Sequence, residues 1–269
     1  MSARWNRSSS DSVPATTDGK PKASARALAS IIERSSRVQG PLATAYVERL
    51  RRADPSADPA TIAKKLEKRY VAAVTASGAA VGSTAVLPGL GTIAALSAAA
   101  GETAVFLEAT AFFALATAAV HGVSADNREQ RRALVLSVLV GDDSKHALAE
   151  LLGPGRRNGA WLSEGVASMP LSALSQLNSR LLKRAVRRYT LRRSALVFGK
   201  MLPVGIGAGV GAVGNRLAGK KIVNNARNAF GKPPARWPGA LLLLPTRPDD
   251  GVTADRASAK SHGGSSAKG

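Results

Sequence analysis

The sequence has no cysteine, which excludes a disulfide scaffold, cysteine-ligated zinc and thiol catalysis. Histidine is nearly as scarce, with three residues at 121, 146 and 262, too few and too scattered to suggest a metal centre. Aromatic residues make up 4% of the 269 positions while hydrophobic residues make up 45%. The apolar mass is therefore Ala, Leu and Val, and its size excludes a chain unfolded throughout. Period-two alternation is missing over any long stretch, and no Asn-Gly pair separates two β-branched runs, so no hairpin is expected. There is no serine nucleophile elbow, phosphate loop or metal-ligand spacing. The expectation is a protein that is not an enzyme, with no catalytic residue, no metal and no cofactor.

Acid is sparse where base is dense. The chain holds 38 Lys and Arg against 18 Asp and Glu, a formal charge of +20. From Val71 to Ala125 there is no Lys or Arg, and the only acids are Glu102 and Glu108. Residues 176–231 hold 12 basic residues and no acid. Most of the net charge thus sits in one block, behind a neutral apolar one. Residues 1–26 and 241–269 mix Ser, Pro, Asp, Gly and Lys without an apolar period and read as disordered basic tails. The N-terminal stretch does not resemble a secretory signal. An ordered domain is expected over 27–240.

Within it every clear signal is helical, and the fold class is all-α. Pro41 suits a first helical position, and Leu42, Tyr46, Val47 and Leu50 form a 3.6-residue stripe that Asp54-Pro55 stops. Asp58-Pro59 is an N-cap and N1 pair, leading through Ile62, Leu66 and Tyr70 into the apolar block. Asp126 with Glu129 resembles a capping box for a helix that Gly141 ends. Asp142 or Asp143 caps another, closed by Gly153-Pro154. Pro170 starts a long basic helix reaching about Gly199.

The apolar block reads as a helical hairpin. Leu87-Pro88-Gly89-Leu90-Gly91 is a turn, the first arm is residues 71–87, and the second runs from Thr92 to about His121. At 1.5 Å per residue the first arm is about 26 Å long, slightly short of a hydrocarbon core of about 30 Å. The block either lies in a soluble core or enters lipid. Charge exclusion and length favour lipid, and the Ala, Ser, Thr and Gly content opposes it. Glu108, between Phe106-Leu107 and Phe112-Phe113, is the candidate buried acid, since a carboxylate among such neighbours needs a partner or its proton.

In the basic helix Arg180, Lys183, Arg184, Arg187 and Arg188 share one side, opposite Leu182, Ala185, Val186, Tyr189 and Leu196. Anionic lipid headgroups are the favoured partner of that face, ahead of solvent and of nucleic acid. Tyr189 alone offers base stacking in the run, which weakens the nucleic-acid reading. Further on, Gly209-Val210-Gly211-Ala212-Val213-Gly214 matches the dinucleotide fingerprint formally. No strand precedes it, however, and no acid lies between Glu164 and Asp249 to take a ribose. The alternative is a glycine-zipper helix, with Gly207, Gly211 and Asn215 at i, i+4 and i+8. Glycines cost about 1 kcal/mol each against Ala in a free helix, so such a helix must pack backbone to backbone. Gly78 and Gly82 in the first apolar arm are the expected counterpart.

Lys200, Leu202-Pro203, Gly207, Gly211, Asn215, Ala226 and Phe230 resemble the C-terminal signature of the EcsC protein family. Leu87-Pro88-Gly89 through Glu102 to His121-Gly122, and Arg131-Arg132-Ala133-Leu134-Val135-Leu136, resemble its N-terminal half. Together these cover roughly 60–231, in an Ala- and Arg-rich style similar to actinobacterial members. The resemblance implies a helical, membrane-associated bacterial protein linked to transporter or cell-envelope function, and the excess of Lys and Arg outside the apolar block agrees with the cytoplasmic side. A membrane-protein partner is in keeping with it, and the family supplies no catalytic residue to transfer. The competing expectation is a soluble, basic, nucleic-acid-binding helical protein.

Overall fold

The structure is a computed structural model and describes residues 20–84, 92–123, 125–152, 162, 165–166, 169–198 and 207–239. Among these residues there are helices and no strand, in agreement with an all-α chain. In order they are α1 (Lys20–Ala53), α2 (Pro59–Thr84), α3 (Thr92–Val120), α4 (Arg128–Val140), α5 (Asp142–Leu152), α6 (Leu171–Phe198) and α7 (Gly207–Phe230). The two expected tails overlap this set only at residues 20–26, which fall within α1. The hairpin turn at 87–91 and the Gly153-Pro154 stop lie outside the described residues.

Local chemistry explains most boundaries. Asp58 caps α2 by accepting from the Thr61 backbone N–H at 2.7 Å, and hydrogen bonding from the Thr61 side chain, then from its backbone, holds the carboxyl below the usual carboxylate range. The capping box of α4 is one residue later than expected. Asn127 accepts from Gln130 N at 2.8 Å, and the Gln130 side chain reaches back to Asn127 N at 3.4 Å. The Asp126 carbonyl instead accepts from the Arg131 guanidinium at 2.9 Å. Pro41 does not start a helix; it lies inside α1. The missing proline N–H is a local loss, and tertiary packing outweighs it. Ala43, Val47 and Leu50 are buried, and the Arg131 side chain lies so close to Gly40 that a Cβ there would meet its Cδ at 2.6 Å.

The core is built round α4, whose residues Ala133 to Val138 are all buried. A helix buried on every face must be enclosed by others, and α1, α3, α6 and α7 enclose this one. Beside it, Tyr70 stacks on Phe113 with ring centroids 4.6 Å apart, and its hydroxyl pairs with Thr110 Oγ1 at 2.8 Å. Burial raises the Tyr70 phenol above its ordinary value, so it stays a neutral hydrogen-bonding group.

At the end of α4, Gly141 has φ of 75°, and a Cβ there would meet the Asn225 side chain at 2.6 Å. Asn225 itself is buried and donates to Val138 O at 2.9 Å. Gly141→Ala therefore meets both backbone strain and a clash. It is expected to cost about 2 kcal/mol, read as a lower urea midpoint with an unchanged slope.

Three helices, α2, α3 and α7, pack together as one layer. α7 runs antiparallel to α2, with Gly211 at Gly78, Gly219 at Val74 and Arg227 paired with Glu67. This is the most extensive helix pair in the molecule. α3 runs antiparallel to α2 on another side, through Tyr70 and Thr110, and α1 lies along α3. α6 makes its main contacts with α4, α5 and α1.

Candidate functional site

The uncharged segments of α2, α3 and α7 converge at one end of this layer. No ionisable residue occurs in 71–84, in 92–101 or in 207–215. Where side chains are described, the outward positions there are small or apolar. Ala72, Ala73, Ala76 and Ala80 are exposed on α2, and Ala100 and Gly101 on α3. Val105 is 50% exposed, Val213 57% and Leu217 62%. Among the described residues, three of the five exposed large hydrophobic side chains therefore lie on or just below this end.

The close approach of α2 and α7 is made by glycine. A Cβ at Gly78 would meet Gly211 O at 2.5 Å and Asn215 Nδ2 at 2.7 Å; a Cβ at Gly211 would run into Gly78 O and reach Gly82 Cα at 3.5 Å. The expected pairing of Gly211 and Asn215 with Gly78 and Gly82 is thus what the chain does. Gly207 opens α7, and nothing is described of its packing. Gly219 belongs to the same stripe, since a Cβ on it would meet Val74 Cγ2 at 2.8 Å. The fingerprint Gly209 to Gly214 is helix throughout, as its rejection as a nucleotide loop requires.

At the base of the uncharged end sits one carboxylate, Glu102. Asn215 Nδ2 donates to Glu102 Oε1 at 2.9 Å and to Val74 O at 3.0 Å, so a single amide ties all three helices together. Burial pushes the Glu102 carboxyl above its ordinary value, although the Asn215 bond works the other way. Glu102 forms no ion pair among the described residues.

The expectation of a buried acid at 108 is corrected by the structure. Glu108 is exposed, six residues and therefore about 9 Å further from the uncharged end. Its apolar sequence neighbours face inward and it faces out, as a period of 3.6 permits. What identifies Glu102 is its level with Asn215, 113 positions away, which no local pattern carries.

The basic face of α6 is partly spent within the fold. Arg180 and Arg184 each reach Glu150 of α5 at 3.0 Å, and Arg184 also donates to the Asp143 carbonyl. Lys183 and Arg187 are exposed with no ion pair among the described residues, and the side chain of Arg188 lies outside them. The apolar side is as expected for Leu182, Ala185 and Val186, which pack on the core; Tyr189 and Leu196 are outside the described side chains. Among the described residues, α7 also carries cations close to the uncharged end. Arg216 and Lys220 follow Asn215 closely and are exposed. Sequence pattern alone does not single them out, because two cations in a glycine-rich helix make no run.

Ala100–Val120 is long and apolar enough to cross a membrane, with a mean hydropathy of 1.7, yet more than half of it is buried inside the protein. From Thr110 to Val120 the chain's own helices cover nearly every residue. His121 ends that buried run. Its Nδ1 lies 2.9 Å from Thr117 O and its ring lies on Phe230. Burial lowers its basicity, so it is a neutral packing residue, and no metal-holding group of His, Asp or Glu occurs among the described residues.

Fold and site together define a class: an all-helical bundle with a packed core at one end and an uncharged, glycine-knit three-helix end at the other. Comparison of the chain with protein-family models, with curated proteins and with solved structures finds no match.

Proposed function

We propose that this chain is a non-catalytic, membrane-associated helical protein that docks on anionic lipid by immersing the joined ends of α2, α3 and α7 in one leaflet. The observation that carries this reading is the length of the uncharged end. Thr92 to Gly101 is the uncharged opening of α3, about 15 Å of helix. Half of a hydrocarbon core of about 30 Å is the same length. The burial of Thr110 to Val120 favours resting in the outer part of a bilayer over crossing it.

Arg216 and Lys220 then stand at headgroup level. Helical side chains lean toward the N-terminus of their helix, which for α7 is the immersed end. Cations near an anionic surface gain about 1 kcal/mol each. Lys183 and Arg187 of α6, with the overall charge of +20, add longer-range attraction. The resemblance to EcsC proteins agrees with a membrane location on the cytoplasmic side, where anionic lipid and basic loops meet, and with a membrane-protein partner such as a transporter.

The test is co-sedimentation with vesicles of phosphatidylglycerol and phosphatidylcholine, against phosphatidylcholine alone. Binding is expected to the anionic vesicles and to weaken with salt. Arg216→Ala with Lys220→Ala is expected to lower the partition coefficient about 30-fold, the equivalent of about 2 kcal/mol. Protein that stays in the supernatant with anionic vesicles, while shifting DNA or RNA at about 50 mM salt, overturns this reading in favour of a nucleic-acid binder.

A further inference from the structure

We propose that Glu102 is a proton-operated latch: the uncharged end enters lipid fully only when this carboxyl is protonated, so that insertion takes up a proton and deepens in acid. This inference rests on the docking reading above and adds its regulation.

The geometry sets the problem. Glu102 is the first charged residue of α3, at the level where immersion of one leaflet must stop or bury it. It is already half-buried, and its carboxylate accepts a hydrogen bond from Asn215. Every element packed against it can be checked for a counter-charge. α2 presents Val74, Gly78 and their neighbours, with nothing ionisable from 71 to 84. α7 presents Asn215 itself, while Arg216 and Lys220 beyond it are exposed. On its own helix the next acid is Glu108, exposed and about 9 Å away. On α1, which lies along α3, the ionisable residues between 27 and 40 are Glu33, Arg34 and Arg37. Arg34 is exposed, and no ion pair joins α1 to Glu102 among the described residues. An ionised carboxylate is costly to move into hydrocarbon.

Protonation removes that cost without breaking the staple. The neutral carboxyl keeps its carbonyl oxygen as an acceptor for Asn215 Nδ2, and Asn215 keeps its bond to Val74 O. The balance is simple: one proton passes from water to one Glu102 oxygen, and no other bond forms or breaks. Burial raises the carboxyl toward the neutral form even before lipid contact. Linkage then fixes the sign, because a state that binds a proton more tightly is favoured as pH falls.

The absence of cysteine gives a clean probe. Val213→Cys, labelled with an environment-sensitive dye, reports immersion depth at an exposed site. Vesicles of phosphatidylglycerol and phosphatidylcholine are used because the phosphodiester charge is constant between about pH 7.5 and 5.5. Deep immersion of the labelled chain is expected to rise several-fold over that range, with about tenfold as the ceiling when the immersed state holds the Glu102 proton about ten times more tightly than the free one. Glu102→Gln, the neutral isostere, should immerse deeply at both pH values. Glu108→Gln should keep the pH response of the parent, and circular dichroism checks that each variant is helical. Equal depth at both pH values for the parent, with Glu102→Gln indistinguishable from it, overturns the latch and leaves the docking intact. A response abolished by Glu108→Gln also overturns it. No vesicle binding by any variant at either pH overturns the docking reading and the latch together.

Discussion

Gly78→Leu is expected to be the most damaging single change in the chain. Any Cβ at this position meets Gly211 O at 2.5 Å, Asn215 Nδ2 at 2.7 Å and Asn215 Cβ at 2.9 Å. Two of these belong to a backbone and to the root of a side chain, which cannot swing away. α7 must therefore move off α2, and the same movement breaks the Asn215 bonds to Val74 O and Glu102. Overpacking of this kind costs about 1–3 kcal/mol, and two lost hydrogen bonds add about 1 kcal/mol each. A loss of about 3–5 kcal/mol against a usual total of about 5–15 kcal/mol lowers the melting temperature by about 10 °C or more. Gly214 is the internal control, since a Cβ there meets nothing within 4 Å. Gly214→Ala should leave stability unchanged or raise it by up to about 1 kcal/mol, the helical preference of Ala over Gly. Thermal unfolding followed by circular dichroism compares the three proteins. Equal stability of Gly78→Leu and Gly214→Ala would show that the two backbones do not touch.

That contrast between two glycines of similar sequence setting shows what was legible in the chain. The pairing of Gly78 with Gly211 and Asn215 is readable, because glycine in a helix is unfavourable unless another backbone needs the space. The helix ends at Ala53 and Val140 are readable from proline and glycine chemistry. Pro41 misled, because proline punctuates a free helix while the burial of Ala43, Val47 and Leu50 carries this one through it. Asp126 misled for a similar reason: the Arg131 guanidinium claims its carbonyl, and the cap moves by one.

The residues of the proposed site were the least legible. A run of arginines on α6 draws attention, yet two of them end on Glu150, a residue 30 and 34 positions earlier. Two cations in α7 make no pattern, yet they adjoin the uncharged end of the bundle. Glu108 looked buried from its neighbours in sequence, whereas Glu102 is held by a neighbour in space. In each case the deciding contact is long-range, and amphipathic periodicity is blind to it.

The replacement of Val213 and Leu217 together by aspartate is expected to abolish membrane docking while the fold persists. Both side chains are more than half exposed, on consecutive turns of α7, and neither belongs to the core. Exposed substitutions of this kind change stability by about 0.5 kcal/mol or less, so melting should stay close to that of the parent. At the membrane the balance differs. Burying a Val or Leu side chain in an apolar phase is worth about 1.5–3 kcal/mol, and a carboxylate placed at the same depth adds a penalty instead. Loss of the Val213 contribution alone amounts to about 1.5–3 kcal/mol, or roughly 10-fold and more in partition coefficient, and Leu217, one turn on at the headgroup boundary, adds a smaller part. The repulsion of two new acids from anionic headgroups acts in the same direction. Leu42 and Leu171, also exposed, lie on α1 and α6 and not on the uncharged end. Leu42→Asp with Leu171→Asp is thus the matched control, expected to bind vesicles as the parent does. Lipid docking through the ends of α2, α3 and α7 requires these two pairs to differ, whereas attraction by net charge alone weakens both alike.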